Sequence, residues 1–560
     1  MNLTPRERAT GKENFVGEVS RRGFLKTGVA AGLVAGGGLG AFYFGYEKTL
    51  PNPVRVGVIG TGDEGNVLIG AINPDYLQVT SIADVRPYSV HRAFHGDHYS
   101  DAALAARCGL MTKYGWKTED EARRHVKVYG DYRELIDGEK DNLDGVLIAL
   151  PLHLHATAAI AAMKAGLHVL TEKLMGHSVH ECKEMARVAK KTGLHLATGH
   201  QRHYNILYQE AMDTIQRGTL GDLHYIRAQW HRGNLPGHDS WQPPMPPELK
   251  PKDELAEKLV KQLKSWEGQL AKARGRDIDV WRKKVDQLRA QLADRTVEAE
   301  KFGYQPIELK DGSGKVVYDG PAAEELIRWR LWDRTGGGLM AELGSHQLDA
   351  AGIFISALHG GEKQHPLSVM AAANQPIFPP NRDAEDHVAC MFEFPAPGYD
   401  PKSEIKRRQK IGVQYASING NGFGGYGEIV YGTKGTLILD REQEAMLFQG
   451  PSETKVKVET GPTLDTQASG AAQTAVAGAV RQVSRGYREE MEHWTWCIKN
   501  PAPENVPRCH PKVALADAVI ALVTNIAARE GRRIEFEEAW FDPDSDATPE
   551  GVKPDVTRYV

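Results

Sequence analysis

The sequence predicts an α/β protein with a doubly wound parallel sheet, a second domain and a helical insertion. Its 560 residues exceed what one hydrophobic core organises, so at least two domains are expected. Short apolar runs alternate with helical stretches over the first third of the chain, which is typical of a doubly wound parallel sheet. Two later series of apolar residues, spaced three or four apart, indicate an inserted pair of amphipathic helices.

Composition and charge exclude several classes of protein. Charged residues make up 25% of the chain and hydrophobic residues 41%, and the formal net charge is −4. This balance is typical of a globular protein and argues against an acidic tail or a nucleic-acid-binding domain. The five cysteines lie far apart without a C-x-x-C pair, which argues against a zinc ribbon or a disulfide framework. We expect no nucleic-acid partner and no metal site.

Residues 1–50 have the pattern of an export segment. The string SRRGFLK at residues 20–26 precedes a weakly apolar, glycine-rich run from Gly28 to Tyr46. Twin arginines before such a run are typical of a twin-arginine export signal, and a membrane-spanning helix is the alternative. We therefore expect residues 1–50 to stand outside the fold and to engage the export machinery. The expected location is the periplasm or the bacterial envelope, with an N-terminal anchor left open.

The first folded segment has the pattern of a dinucleotide site. A β-branched run, Val54–Ile59, leads into the motif GTGDEG at residues 60–65 and then into a helical stretch. In such a unit the glycines allow a tight turn and the close approach of a pyrophosphate, which the helix N-terminus faces. The motif residues expected to contact a dinucleotide are Gly60, Thr61, Gly62, Glu64 and Gly65.

Asp84 predicts which dinucleotide is bound. It ends the second apolar run, Leu77–Ala83, and lies 22 residues after Gly62, where a carboxylate accepts hydrogen bonds from the adenosine ribose. A carboxylate there repels a 2′-phosphate, so NAD is favoured over NADP. Arg86 leaves the choice open, because a guanidinium stacks on adenine or pairs with phosphate.

Strands continue to alternate with helices, and residues 51–203 are assigned to one Rossmann domain. Leu150 and His155 border the end of a strand, where such sheets bind their ligands, so we expect both beside the cofactor. Metal binding by His153 and His155 is the alternative. The remaining predicted strands are Val126–Tyr129, Val146–Leu150, Leu167–Thr171 and Leu194–Thr198.

Two further motifs carry a family resemblance. Glu172-Lys173 follows a strand as in a Glu-Lys-Pro signature, and residues 336–349 (GGGLMAELGSHQLD) resemble a G-G-G-x-x-x-D-x-G-x-H-x-x-D signature. With the glycine motif, the chain resembles the Gfo/Idh/MocA oxidoreductase family from about Val54 to Phe536. The resemblance implies a Rossmann domain followed by a C-terminal α/β domain with an open, mostly antiparallel sheet, and an active site between them. Leu174 and Glu342 depart from the family pattern, which has Pro and Asp there.

Residues 204–560 are expected to form the substrate and oligomerisation domain, with the insertion at about 243–328. The domain begins with a strand at Leu223–Trp230 and closes with a helix at Pro511–Glu530. The insertion's helices either pack on each other as a self-contained hairpin or cap the active site or a neighbouring subunit. The loop at residues 231–241 is rich in polar and aromatic side chains, which suits a sugar, although an ordinary surface loop is equally compatible. The candidate substrate residues are His203, His231, Trp241, Arg330 and Asp349.

The resemblance implies a catalytic group and a cofactor. We expect His346 to accept a hydroxyl proton while hydride passes to NAD, and Lys173 to steady the developing oxyanion or relay the proton. Glu342 would orient the imidazole or bind a hydroxyl. Glu172 and Lys173 join the cofactor-binding set. The expected ligand is a carbohydrate or cyclitol, and a homo-oligomer is expected.

Export would require that NAD be carried inside the fold and returned to its starting state in each turnover. Three functions therefore stay open. They are an oxidoreductase that recycles its cofactor, a redox-neutral NAD-dependent glycoside hydrolase, and a non-catalytic sugar-binding protein with structural NAD.

Overall fold

The computed structural model describes residues 3–18, 39–47, 49–251, 253–450 and 485–559. The twin-arginine string at residues 20–26 lies outside the described residues, as does the small-residue loop that the sequence indicates at 461–479.

The described parts of the first fifty residues pack on the fold. They form helix α1 (residues 5–18) and helix α2 (Leu39–Phe44). Arg8 of α1 pairs with Asp440 at 2.7 Å, and Phe15 is buried. After α2, the Tyr46 hydroxyl donates a hydrogen bond to Glu492 at 2.6 Å. This differs from the expectation that residues 1–50 stand outside the fold, because Phe15, Phe44 and Tyr46 are covered by the body of the protein.

The Rossmann domain is confirmed as a six-stranded parallel sheet in the order β3-β2-β1-β4-β5-β6. The order reverses between β1 and β4, and ligands of such sheets bind in the crevice at that point. The strands are β1 (Val54–Ile59), β2 (Leu77–Ala83), β3 (Lys127–Tyr129), β4 (Gly145–Ile148), β5 (His168–Glu172) and β6 (Leu196–Gly199). The helices are α3 (Asp63–Ala71), α4 (Pro87–His95), α5 (Asp101–Ala106), α6 (Gly109–Tyr114), α7 (Glu119–His125), α8 (Tyr132–Glu139), α9 (His155–Lys164) and α10 (Val179–Thr192).

The second domain contains an eight-stranded sheet in the order β15-β14-β13-β7-β12-β11-β10-β16. Every pair is antiparallel except β7 with β12, so the mostly antiparallel open sheet is confirmed. The strands, including two of the insertion, are β7 (Leu223–His231), β8 (Ile307–Lys310), β9 (Val316–Gly320), β10 (Ser368–Asn374), β11 (His387–Pro395), β12 (Lys410–Ile418), β13 (Tyr426–Gly432), β14 (Gly435–Asp440), β15 (Glu444–Gln449) and β16 (Ile534–Glu535). The helices are α11 (Ile206–Gln216), α12 (Glu254–Lys272), α13 (Asp277–Ala293), α14 (Ala322–Ile327), α15 (Asp333–Gly336), α16 (Ser345–Ser356), α17 (Tyr487–Lys499), α18 (Pro511–Glu530) and α19 (Glu538–Phe541).

Helices α17 and α18 join the two domains. Trp494 of α17 is fully buried in the apolar cluster of the Rossmann sheet. Helix α18 packs against α10 of the Rossmann domain and against α16 and β10 of the second domain. It is the one helix of the described residues that is long and apolar enough to cross a membrane, and 72% of its apolar stretch is buried inside the protein.

The insertion contains the two predicted helices, but it is not self-contained. Helices α12 and α13 pack on each other, with the Trp266 and Trp281 rings 6.4 Å apart. Helix α13 also packs on α4 of the Rossmann domain. The insertion further contains the β8–β9 hairpin, which the sequence analysis did not predict because both strands are short and the side chains of β9 are exposed or only half-buried.

Candidate active site

The glycine motif has the geometry that a dinucleotide requires. Gly60 has φ +84°, and a Cβ there would lie 2.4 Å from the Ala149 carbonyl oxygen. A Cβ at Gly65 would lie 2.0 Å from the Gly60 oxygen, whereas one at Gly62 would meet no atom within 4 Å. The first and third glycines therefore permit the turn and the helix–strand contact, and the second leaves open space for a pyrophosphate at the start of α3.

Asp84 lies at the end of β2 and is tied to the glycine loop. Its Oδ2 accepts hydrogen bonds from the Thr61 backbone N–H at 2.7 Å and the Thr61 hydroxyl at 3.3 Å. Its Oδ1 accepts one from the Arg86 backbone N–H at 2.8 Å. Burial raises the pKa of Asp84. Gly60, Gly62, Asp84, Arg86 and Leu150 line one cavity of about 100 Å³, so the structure brings these predicted cofactor residues together.

Arg86 does not stand free beside Asp84, because the insertion supplies its partner. The Arg86 Nε donates to Asp294 Oδ2 at 2.9 Å, and its Nη2 lies 2.8 Å from the same oxygen. Asp294 is 1% exposed. The Arg86 charge, which left the choice between NAD and NADP open, is thus neutralised by Asp294, 208 residues away in sequence. The sequence analysis did not predict this ion pair.

The His155 side chain contacts the backbone of two loops beside the crevice. It is buried, and its Nδ1 lies 2.8 Å from the Leu174 carbonyl oxygen while its Nε2 lies 2.9 Å from that of Leu150. Both ring nitrogens thus face backbone oxygens of these two loops, and the cofactor contact of His155 stays a prediction. His153, the other residue of the suggested pair, packs edge-on against Tyr304 of the insertion with ring centroids 5.5 Å apart.

The side-chain carboxyl groups of Glu64 and Glu172 meet at the inner end of the crevice. Burial, together with the charge of Glu64, raises the pKa of Glu172 to about 8. The Oε1 atoms of both residues are buried and have no hydrogen-bond partner within the described part of the chain, while Glu172 Oε2 accepts from the Lys173 backbone N–H at 3.1 Å. Glu172 therefore keeps its proton at neutral pH and offers a hydrogen-bond donor at this end of the crevice.

Lys173 and Glu342, two of the predicted catalytic residues, form a cluster with Arg330, a predicted substrate residue. Lys173 Nζ donates to the Glu342 backbone oxygen at 2.8 Å and to its Oε2 at 3.3 Å. The Arg330 Nε donates to Glu342 Oε1 at 2.6 Å. Although burial acts to raise it, the Arg330 and Lys173 charges lower the pKa of Glu342 to about 2. The departures at Leu174 and Glu342 do not separate the lysine from the carboxylate. Leu174 is buried, and the Lys173–Leu174 peptide is cis.

His346 lies one turn beyond Glu342. A π-helical turn, Met340–Gly344, carries Glu342 and runs into α16, which carries His346. Burial, followed by the charge of Lys173, holds the pKa of His346 well below its usual value, so the imidazole is neutral and able to accept a proton. Its Nδ1 is buried without a hydrogen-bond partner among the described residues, and its ring lies 5.6 Å from that of Trp230.

His203 and Asp349 do not face this cluster, contrary to the prediction. The His203 Nε2 lies 2.8 Å from Asp349 Oδ1, and Lys363 lies 3.3 Å from the same oxygen. Asp349 is 1% exposed, and the buried His200 lies between it and His346. His203 instead lines a separate cavity of about 330 Å³ with Arg508. Asp349 is instead engaged by His203 and Lys363, whose side chains both contact its Oδ1.

The strand β7 separates His231 from the site. Trp230 contacts His346, and the next residue of a strand points to the opposite face of the sheet. The charged neighbours of His231 are accordingly Arg227 and His387, and burial lowers its pKa to about 4. The substrate prediction for His231 is therefore wrong.

Arg232 belongs to the site, and the sequence interpretation missed it. Its guanidinium lies 5.7 Å from the Trp230 ring and 5.6 Å from the ring of Trp241, which is buried. Burial lowers its pKa, whereas the nearby Glu342 charge raises it. Its Nη1 is buried and has no hydrogen-bond partner among residues that the structure describes. Trp241 thus supports an arginine of the site, and the polar loop at 231–241, in which Arg232 is the one arginine, was the available signal.

Comparison with known proteins agrees with this geometry. Residues 54–200 match the model of the oxidoreductase family with an NAD-binding Rossmann fold, Gfo/Idh/MocA. The chain is 26% identical over 227 residues to a glycosyl hydrolase family 109 protein of Solibacter usitatus, covering 40% of this chain and 47% of that protein. It is 32% identical over 174 residues to the myo-inositol 2-dehydrogenase of Thermotoga maritima, covering 31% of this chain and 44% of that protein. The chain thus matches less than half the length of each relative.

The fold also resembles a solved structure over most of the chain. An inositol dehydrogenase homologue of Azotobacter vinelandii, solved with NADH and myo-inositol, superposes with a TM-score of 0.53 at 13% identity. The superposition covers 87% of this chain and 98% of that chain. At this identity the likeness concerns the fold.

Proposed function

We propose, from the premise that residues 54–200 are the NAD-binding Rossmann fold of the Gfo/Idh/MocA oxidoreductase family, that the protein oxidises or reduces a CH–OH group of a sugar or cyclitol. The observation that carries the proposal is the cluster of Lys173, Glu342 and neutral His346 beside the end of β5. This cluster lies at the same edge of the sheet as the glycine loop, where the nicotinamide end of a dinucleotide extends.

Each residue of the cluster has a role that its environment supports. NAD bound in the crevice supplies the ring that exchanges hydride with the substrate carbon. His346 accepts the hydroxyl proton at a ring nitrogen, because burial keeps the imidazole neutral. Lys173 donates a hydrogen bond to the substrate oxygen, and Glu342 holds the lysine in place through two contacts. Arg232 and Arg330 supply further donors for hydroxyl groups.

The names of the relatives support two chemistries on this site. The myo-inositol 2-dehydrogenase supports a polyol dehydrogenase. The glycosyl hydrolase family 109 protein supports the alternative, a redox-neutral glycoside hydrolase that uses NAD transiently. A third alternative, a sugar-binding protein with structural NAD, predicts no turnover with any substrate.

The proposal includes a cofactor that is retained and recycled. The twin-arginine string at residues 20–26 supports export of the folded protein to the periplasm or envelope, where free NAD is not expected. NAD would then be loaded before export, and each turnover would restore it. We extend the proposal to recognition by the export machinery and to a homo-oligomer, which the exposed Met370 on the open sheet supports.

The test is turnover by the purified full chain with three kinds of substrate. Myo-inositol, an aldose–ketose pair and chromogenic aryl glycosides distinguish dehydrogenation, recycled oxidoreduction and hydrolysis. Lys173→Met and His346→Asn should abolish most turnover while NAD stays bound, and the exposed Lys261 and His224 provide matched controls (Lys261→Met and His224→Asn). Wild-type turnover in both cluster variants, with NAD bound, would overturn the assignment.

A further inference from the structure

The insertion docks on the Rossmann domain through specific polar contacts. Gln287 of α13 is fully buried, and its side chain accepts a hydrogen bond from the His98 backbone N–H at 2.6 Å and donates one to Asp97 at 2.8 Å. The Lys284 ammonium donates to the His98 carbonyl oxygen at 2.9 Å. An amide that is satisfied on both ends fixes the position of a helix, because burying it unpaired would cost about 1–3 kcal/mol. The insertion is therefore held at one place beside the nucleotide crevice.

Asp294, which lies just after α13, accepts hydrogen bonds from two donors near the end of β2. Its Oδ2 accepts from the Arg86 guanidinium at 2.9 Å, and its Oδ1 accepts from the Tyr88 backbone N–H at 3.0 Å. Tyr88 lies in the first turn of α4, where the helix dipole favours an anion. A guanidinium and a helix N-terminus beside the ribose-binding Asp84 are the donors that a 2′-phosphate would use. Asp294 fills that anion position from within the chain.

The polypeptide that follows Asp294 forms one wall of the nucleotide cavity. Phe302, Tyr304 and Leu326 line the cavity of about 100 Å³ opposite Leu154 and the glycine loop. Tyr304 is 4% exposed, and Val85 and Leu154 of the Rossmann domain pack on its cluster. The adenosine end of a dinucleotide would therefore lie between the two units, with apolar and aromatic groups on the insertion side.

We propose that the insertion is part of the dinucleotide site. Asp294 takes the place of a 2′-phosphate and makes the site select NAD over NADP. The wall at Phe302 and Tyr304 retains the adenosine end, so bound NAD leaves slowly. The inference rests on the proposed function only in that a dinucleotide occupies this crevice, and it assigns selectivity and retention to residues of the insertion.

The first test is dinucleotide selectivity of the full chain, measured by calorimetric titration with NAD and NADP after removal of bound cofactor. Asp294→Asn keeps the shape of the side chain but frees the Arg86 charge, so the affinity for NADP relative to NAD should rise on the order of tenfold. The double variant Arg86→Gln with Asp294→Asn should lose that gain. Asp286→Asn is the matched control, because Asp286 is 45% exposed on α13 and contacts Arg289.

A second test leaves the ion pair intact. Phe302→Ala opens the half-buried wall, and bound NAD should then be released about tenfold faster on dilution, as followed by mass spectrometry, with the selectivity ratio unchanged. If Asp294→Asn fails to fold, the ratio of NAD to NADP affinity in the wild type still tests the proposal. Equal affinity for the two dinucleotides would overturn the role of Asp294. If folded Asp294→Asn has the wild-type ratio of NADP to NAD affinity, the role of Asp294 is also overturned. If Phe302→Ala releases bound NAD at the wild-type rate, the proposal that this wall retains the dinucleotide is overturned. Absence of any dinucleotide binding by the wild type would instead refute the proposed function.

Discussion

Glu342→Gln tests the electrostatics of the catalytic cluster. The structure lowers the pKa of Glu342 from 4.5 to about 2, and at about 1.4 kcal/mol per unit this corresponds to about 3 kcal/mol of stabilisation of the ionised form. The side chain is 15% exposed, so solvent screening removes little of it. Glutamine cannot carry the charge and leaves Lys173 and Arg330 unbalanced. We therefore expect the variant to be about 3 kcal/mol less stable at pH 7, or somewhat less where its amide keeps a hydrogen bond.

The pH dependence of that difference is the decisive result. Because the folded pKa lies below the unfolded value, the ionised carboxylate contributes its full stability above about pH 4.5 and loses it as the pH falls toward 2. The gap in unfolding free energy between wild type and variant should narrow by about 1 kcal/mol at pH 4. Urea unfolding of both proteins at pH 7 and pH 4 measures this difference in unfolding free energy. A gap of equal size at both pH values would refute the lowered pKa of Glu342.

Three further predictions concern the crevice. Lys173→Met and His346→Asn should each reduce turnover on the order of 100-fold or more while NAD content stays at the wild-type level, as followed by substrate assays and by mass spectrometry of released cofactor. Gly65→Ala should destabilise the fold, because its Cβ meets the Gly60 oxygen, whereas Gly62→Ala should weaken NAD binding with little loss of melting temperature. The affinity for NAD should fall as the pH rises through about 8, because Glu172 ionises at the edge of the crevice and NAD carries a net negative charge. Glu172→Gln should remove this dependence in titrations from pH 6 to 9, and the same slope in both proteins would contradict the prediction.

The Rossmann domain was predictable because its signals are local in sequence. Val54–Ile59 and Leu77–Ala83 form the strands that their β-branched runs indicate, and the glycine motif adopts the turn that its spacing requires. The alternation of Leu223–Trp230 also predicted β7 within one residue of its observed end. The β8–β9 hairpin was not predicted, because its strands are only four and five residues long and most of their side chains are exposed or half-buried.

The site was predicted in part, and the errors have a common physical cause. Lys173, Glu342 and His346 come together because two motifs end at the same edge of the sheet. For His231 and Asp349, motif spacing alone does not say which side of a strand or helix faces the crevice. Strand alternation turns His231 away, and Asp349 is engaged by His203 and Lys363 instead.

Arg86 shows why contacts between distant segments decide the chemistry of a site. Its residue type is compatible with either dinucleotide, and only the partner of its guanidinium determines whether a phosphate finds a free cation. That partner, Asp294, lies in an insertion. The sequence pattern of the insertion indicates two amphipathic helices, but it does not indicate which surface they pack on. The buried Gln287 fixes the docking, and the docking places a carboxylate within 3 Å of the arginine. A segment that interrupts the family pattern thus completes the electrostatics of the family's nucleotide site.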